Sequence, residues 1–255
     1  MKISSSFIFL FMALALCHAL ISQDVLTVHY FHRPPLYETL SDGSAGGFLI
    51  EITRLVLEDA GIEYIFEETP PKRILEILSE NTFSCSAGWF FTPERQEKYI
   101  FSESLYQDRE NVFIINTISC CSESPVDIKT MLSSECELTL VDSFSYGQWY
   151  DDALLPYLQK INRVNVMPLN IIRMVNARRT GYTMTSKEEA LWVLANFPEC
   201  SENTAVITIK DAPRGNLRYI LFPVEFDPEV LRRIDSSIER IKKSDSYRRI
   251  LKPYE

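Results

Sequence analysis

Thr92-Pro93-Glu94-Arg95 places an arginine in the first turn of a short helix, with Thr92 as cap and Pro93 at its first position. A guanidinium donates two parallel charge-assisted hydrogen bonds to a carboxylate, and a helix start aims free N–H groups at an anion. The plain alternative is a surface arginine paired with Glu94 or Glu97. A second polar cluster, Ser143-Phe144-Ser145-Tyr146-Gly147, lies between an expected strand and an expected helix. It can offer hydroxyls and N–H groups to the same anion, or act only as a helix cap. Lys72 and Arg73 open another helix, where the macrodipole disfavours cations. Either something anionic compensates there or they are solvated surface charge.

Catalytic patterns are weak. The serine cluster lacks the first glycine of a Gly-x-Ser-x-Gly elbow. His29 and His32 sit three apart on one expected strand and so point to opposite faces, which suits neither a metal pair nor a relay. No phosphate-binding glycine loop and no paired Cys-x-x-Cys is present, so no cofactor or metal is expected.

The 255 residues carry a net charge of −9, with 46% hydrophobic and 24% charged residues. This composition is that of a globular protein, and the charge argues against nucleic-acid binding. Phe7 to Leu16 is an unbroken apolar run behind Lys2, with Cys17-His18-Ala19 as a small-residue cleavage site and Ser22 as a second option. Residues 1–22 therefore read as a secretory signal peptide. An uncleaved anchor is one alternative. Lipid attachment at Cys17 is another, disfavoured by the bulky Leu16. Loss of Lys2 leaves 25 basic against 35 acidic residues, a net of −10. Export permits disulfides among Cys85, Cys120, Cys121, Cys136 and Cys200. One or two bridges are expected, joining Cys120 or Cys121 to Cys136 or Cys200, with Cys85 buried and free.

These groups need a scaffold, and hydrophobic periodicity supplies it. Leu26, Val28 and Tyr30 alternate as a strand. Phe48 to Ala60 carries one apolar helical face and stops at Gly61. Strand Tyr64 to Phe66, a helix opened by Pro71, strand Phe83 to Phe90 and the Thr92 helix start follow. The pattern restarts with strands at Asn111 to Ile115 and Leu138 to Val141, a helix through Leu158, and strands at Val164 to Met167 and Tyr182 to Met184. Ser186 and Glu189 form a capping box, strands Ala205 to Ile209 and Tyr219 to Phe222 come next, and Asp227-Pro228 caps a last helix. The fold class is α/β, in two lobes.

Several segments together resemble family 3 of the bacterial extracellular solute-binding proteins. They are Arg33-Pro34-Pro35, Gly46-Gly47-Phe48, Pro71-Lys72-Arg73-Ile74-Leu75, Asp142 to Gly147 and Tyr247 to Tyr254. Most specific is Gly88-Trp89-Phe90-Phe91-Thr92-Pro93-Glu94-Arg95, followed by Phe101-Ser102. The resemblance covers essentially the whole chain after the leader. It implies a type II periplasmic-binding-protein fold with a central cleft and two hinge strands. Lobe 1 would comprise 23–113 and 219–255, and lobe 2 would comprise 114–218. It further implies that Arg95 holds a ligand carboxylate, that Gly88, Trp89, Phe90, Tyr30, Arg33 and Arg73 line the first-lobe wall, and that Ser143, Ser145 and Tyr146 face them. The implied function is periplasmic capture of a small polar, carboxylate-bearing, amino-acid-like ligand by cleft closure. A monomer would deliver that ligand to an ABC-type transporter.

Two departures stand out. Relatives carry a Thr or Ser whose carbonyl accepts from the ligand's amino group; counting back from Arg95, that position falls on Phe90. They also carry a second-lobe aspartate for the ammonium, and that position falls on Gly181 of Arg178-Arg179-Thr180-Gly181. Glu188 or Glu189 would have to substitute. An unmodified α-amino acid is thus a less secure ligand than another anionic solute. The resemblance leaves open a ligand-sensing subunit without a transporter. It also leaves open a cyclic-amino-acid dehydratase with Glu189 or Glu68 as its acid.

Overall fold

The computed structural model describes residues 25–80, 82–120, 123–142 and 144–254. The expected signal peptide, Cys17, Cys121 and Ser143 lie outside the described residues. The chain opens with β1 (Leu26–Tyr30), a small hairpin of β2 (Glu38–Thr39) and β3 (Ala45–Gly46), α1 (Phe48–Asp59), β4 (Tyr64–Glu68) and α2 (Pro71–Ser79). Next come β5 (Ser84–Phe90), the single turn α3 (Pro93–Gln96) and β6 (Tyr99–Gln107). The second unit holds β7 (Asn111–Asn116), α4 (Ile128–Leu132), β8 (Leu138–Val141), α5 (Gln148–Leu154), β9 (Ile161–Val164), α6 (Pro168–Asn176), β10 (Tyr182–Ser186), α7 (Lys187–Asn196) and β11 (Thr204–Thr208). The chain then returns through β12 (Leu217–Pro223) to α8 (Pro228–Ile241) and α9 (Asp245–Leu251).

Two five-stranded sheets result, ordered β4-β1-β5-β12-β6 and β11-β7-β10-β8-β9. The β4-β1-β5 and β10-β8-β9 portions are parallel, and the remaining pairs are antiparallel. In the first lobe Phe48, Leu49, Ile52 and Val56 of α1 join Val28 and Cys85 from one face of the sheet, together with Ile234 and Ile238 of α8. Ile74 and Leu78 of α2 pack with Trp89 and Leu221 in a separate cluster. Covered on both faces, β5 is buried nearly throughout, as its run of small and apolar residues requires.

Gly88 interrupts that strand. Across β5 and β12, Ala87 pairs with Ile220 and Trp89 with Tyr219, so Gly88 is an extra residue opposite nothing. Its φ of +87° and the Tyr37 hydroxyl, 1.9 Å from where a Cβ would stand, both demand glycine. The bulge moves Trp89 off the face of Cys85 and Ala87 into the cluster of α2.

The lobe boundaries expected after 113 and 218 cut through β7 and β12, each of which pairs within one sheet from Asn111 and from Leu217. That pairing argues for crossings at 108–110 and 210–216. These two short segments are where the chain passes between the sheets. They lie side by side, with the Asp108 N–H donating to the Asn216 carbonyl at 2.9 Å. A Cβ on Gly215 would stand 2.1 Å from the carbonyl oxygens of both Asp108 and Arg109, so the crossing requires a glycine.

Three further differences from the sequence reading are local. The nine-residue β6 was not expected as a strand. The helix expected through Leu158 yields at Leu155-Pro156 to a 3₁₀ segment, and β9 begins at Ile161, earlier than expected. The cysteines follow the expectation: Cys120 is bridged to Cys136 and Cys85 is buried and free, as is Cys200. No described helix is long and apolar enough to cross a membrane.

Candidate functional site

A cavity of about 360 Å³ opens between the lobes. Its walls include residues at or just beyond the carboxyl ends of β1, β5, β8 and β9: Phe31 and Arg33, Phe90, Asp142 and Phe144, and Asn165 to Met167. This is where an open α/β sheet leaves side chains and backbone groups unused by its ladders. Arg95 and Arg218 complete the first-lobe wall.

The three arginines differ in their partners. Arg33 grips Glu189 with two bonds, Nε to Oε1 and Nη2 to Oε2, both 2.9 Å. The pair is 11% and 2% exposed. The Thr185 hydroxyl donates to the same carboxylate, and the Arg33 guanidinium lies 4.8 Å from the centre of the Phe144 ring. Arg33 comes from the first lobe, and Glu189, Thr185 and Phe144 come from the second, so this cluster ties the lobes together. Burial works against the Arg33 charge, and the Glu189 carboxylate overrides it and holds the guanidinium protonated.

Arg218 is paired within its own half of the molecule. It meets Asp108 through Nε to Oδ1 at 2.5 Å and Nη2 to Oδ2 at 2.7 Å, and its third nitrogen donates to the Gly88 carbonyl at 2.7 Å. Its plane stacks 4.4 Å from the Phe90 ring. Burial again opposes its charge and the adjacent Asp108 outweighs burial, while burial lifts the Asp108 carboxyl to about 6 against the pull of Arg218, so the pair is ionised at neutral pH.

Arg95 has no carboxylate partner among the described residues. Its Nη1 donates to the Phe90 carbonyl at 3.0 Å and its guanidinium lies 4.9 Å from the Trp89 ring. Glu94, one of the two acids that would have neutralised it, bonds Lys98 instead at 3.4 Å, and Arg95 has no ion pair among the described residues. Burial pushes its pKa below the usual arginine value, with the Glu94 charge opposing. A partly buried guanidinium without a counter-ion is a site for one.

Glu188, beside Glu189 in the first turn of α7, also reaches the first lobe. Its Oε1 accepts from the Tyr106 hydroxyl and from the Arg109 N–H, both at 2.6 Å, while its buried Oε2 has no hydrogen-bond partner among the described residues. Of the expected Ser186–Glu189 capping box only the serine half forms, at 3.4 Å, because the Glu189 carboxylate is turned to Arg33.

The residues expected at the site divide. Arg33, Gly88, Trp89, Phe90, Arg95 and Ser145 line the cavity. Tyr30 does not: strand alternation puts it with Leu26 and Val28 on the core face, where its hydroxyl meets Thr39 at 2.9 Å. The aromatic from that strand end is Phe31. Arg73 is 54% exposed and bonds Glu76 at 3.0 Å, whereas its neighbour Lys72 lines the cavity. Tyr146 is buried in the second-lobe core, its hydroxyl accepting from the Val141 N–H at 3.0 Å. The Ser145 hydroxyl donates to Asp151 at 2.6 Å, and Asp151 also accepts from the Tyr146 N–H at 3.0 Å. The hydrogen bonds of Ser145 and Tyr146 thus serve their own helix, while Phe144 and Ser145 add to the cavity wall. Sequence reasoning missed Asp108, Arg218, Phe31 and Phe144. A signal existed for Arg218: an arginine among Leu217, Tyr219, Ile220 and Leu221 needs a buried partner.

Residues 26–255 match the family described as bacterial extracellular solute-binding proteins, family 3. The chain belongs to this family. No curated protein matches it. Among solved structures it is similar to the arginine-, lysine-, histidine-binding protein ArtJ from Geobacillus stearothermophilus, at 18% identity and a TM-score of 0.73, covering 91% of this chain and 94% of that one. It is similar to the substrate-binding protein of an amino acid ABC transporter at 14% identity and 0.68, covering 90% and 98%. It is also similar to a histidine kinase sensor domain at 14% and 0.73, covering 91% and 96%. At these identities the likeness shows the two-lobed fold alone.

Proposed function

We propose that this protein captures a small carboxylate-bearing solute of amino-acid size in the periplasm and delivers it, as a monomer, to an ABC-type membrane transporter. The observation that carries this reading is Arg95, a cleft arginine with no ion pair among the described residues, at the wall of a cavity of about 360 Å³. Aromatic faces from Phe31, Trp89, Phe90 and Phe144 pack the rest of the ligand. Ligand contacts with both lobes favour the closed arrangement by differential binding. The family supports solute capture, and the similar ABC-transporter subunit supports delivery. Binding without turnover fits better than a dehydratase. Glu189 is taken up by Arg33 and Thr185, and Glu68 accepts from the Thr39 hydroxyl, so neither is a poised acid in the cleft.

The test is a thermal-shift screen of the secreted protein against amino acids, other carboxylates, dicarboxylates and polyamines. A carboxylate ligand raises the melting temperature by mass action, and Arg95→Ala removes the shift. A polyamine that shifts the wild type, or a carboxylate bound as tightly by Arg95→Ala, overturns the reading.

A further inference from the structure

We infer that Arg163 is a second anion contact, supplied by the second lobe, and that the solute is a diacid: one carboxylate on Arg95 and a second acidic group on Arg163. This rests on the proposed capture of a carboxylate at Arg95 and adds what the solute carries besides it.

A side chamber of about 430 Å³ opens beside the main cavity, and Arg95, Phe144 and Ser145 line both. Arg95 stands on its first-lobe wall, and Arg163, from the edge strand β9, stands on its second-lobe wall. Arg163 is half-buried. Its Nη1 donates to the Val141 and Phe144 carbonyls at 3.4 and 3.5 Å, beyond the usual range of such bonds. It forms no ion pair among the described residues. Carbonyl dipoles hold a guanidinium in place without neutralising it; that takes an anion.

The carboxylates on the chamber wall are Glu94 and Asp151, and both are engaged elsewhere. Glu94 bonds Lys98 at 3.4 Å. Asp151 accepts from the Ser145 hydroxyl through one oxygen and from the Tyr146 N–H through the other. Those two bonds also take up the hydroxyl and the N–H expected to meet the solute from the second lobe. Among the described residues, Arg163 is the cation that lobe presents to the chamber.

A solute that favours closure must touch both lobes. With acidic groups on Arg95 and Arg163 it does so through its two charges. The same second-lobe wall carries Leu155 and Leu158, both exposed, which suits a methylene link between the acids. The rest of the solute faces the rings of the main cavity.

Isothermal titration calorimetry with matched acids tests this: adipate against pentanoate, and benzylsuccinate against 4-phenylbutyrate. Each diacid is its partner with one more carboxylate. The diacid is expected to bind at least about tenfold more tightly in each pair. Arg163→Gln is neutral but can still donate to a carbonyl. It should bring the diacid to within about threefold of the monoacid and leave the monoacid unchanged. Arg163→Lys, which keeps the charge, should retain part of the preference. Arg95→Ala should weaken both acids. Equal binding of diacid and monoacid by the wild type, or a diacid preference that survives in Arg163→Gln, overturns the role of Arg163. Carboxylate capture then stands so long as Arg95→Ala weakens both. An equal loss of both acids in Arg163→Gln makes Arg163 a structural peg and overturns it too. If no carboxylate binds, capture itself fails and takes this inference with it.

Discussion

At one end of the cleft Arg33 reaches across to Glu189 and lies against Phe144; at the other, Arg95 lies over Trp89 and, among the described residues, its guanidinium bonds only the Phe90 carbonyl. Both are arginines near the end of a first-lobe strand, and both stack on a ring. They differ in whether a carboxylate projects towards them from another part of the chain. Where it does, the arginine becomes part of the closure. Where it does not, the charge is left for a solute. Arg218 shows the first outcome at greater depth, 3% exposed against an Asp108 that is 6% exposed.

The comparison breaks hardest at the deepest pair. Asp108→Ala strands the Arg218 guanidinium and is expected to cost about 3–5 kcal/mol. For a chain of this size that lowers the melting temperature by roughly 10 °C or more, read by calorimetry. A shift under about 2 °C would show that this pair is not what holds the hinge. Glu189→Gln should follow, at about 2–3 kcal/mol, because Arg33 keeps its ring contact and some solvent. Here the telling measurement is small-angle scattering: loss of the cross-lobe pair should raise the radius of gyration of the ligand-free protein. An unchanged radius would mean that Arg33 and Glu189 meet without holding the lobes closed.

Arg95→Ala breaks no ion pair among the described residues and should leave the melting temperature within about 2 °C. Its effect appears in binding, a loss of roughly 10–100-fold for a carboxylate ligand. A large drop in stability instead would put Arg95 in the same class as Arg218.

The smallest effect comes from His29, on the strand that leads to Arg33. Burial lowers its pKa below 6.5, with the Glu67 charge opposing, and its Nδ1 meets the Thr69 hydroxyl at 2.9 Å. The unfolded chain takes up the proton first. This contribution to stability is therefore present above pH 6.5 and is lost as pH falls towards the lower folded value. His29→Asn should flatten the melting profile between pH 7 and pH 5 by about 1 kcal/mol or less. That slope sets the background against which pH effects at either end of the cleft are judged. An identical slope in the variant would assign it to other groups.

Much of the fold is legible because its signals are local. Alternation at Leu26, Val28 and Tyr30, the one-sided apolar face of Phe48 to Asp59, the Thr92-Pro93 cap and the Asp227-Pro228 cap each act within a few residues, and each element stands where those signals place it. Tyr30 fell out of the cleft by the same alternation that identified its strand. The β6 strand escaped because its pairing is with β12, more than a hundred residues on.

The sequence by itself determined the family, the two-lobed α/β class and which residue types stand near the strand ends, since these follow from short-range patterns and motif order. Only the tertiary structure decided which arginine is spent and which is left. Glu189 lies 156 positions from Arg33 and Asp108 lies 110 from Arg218, and no local pattern reports an ion pair across such distances. A charge takes its role from what folding brings beside it.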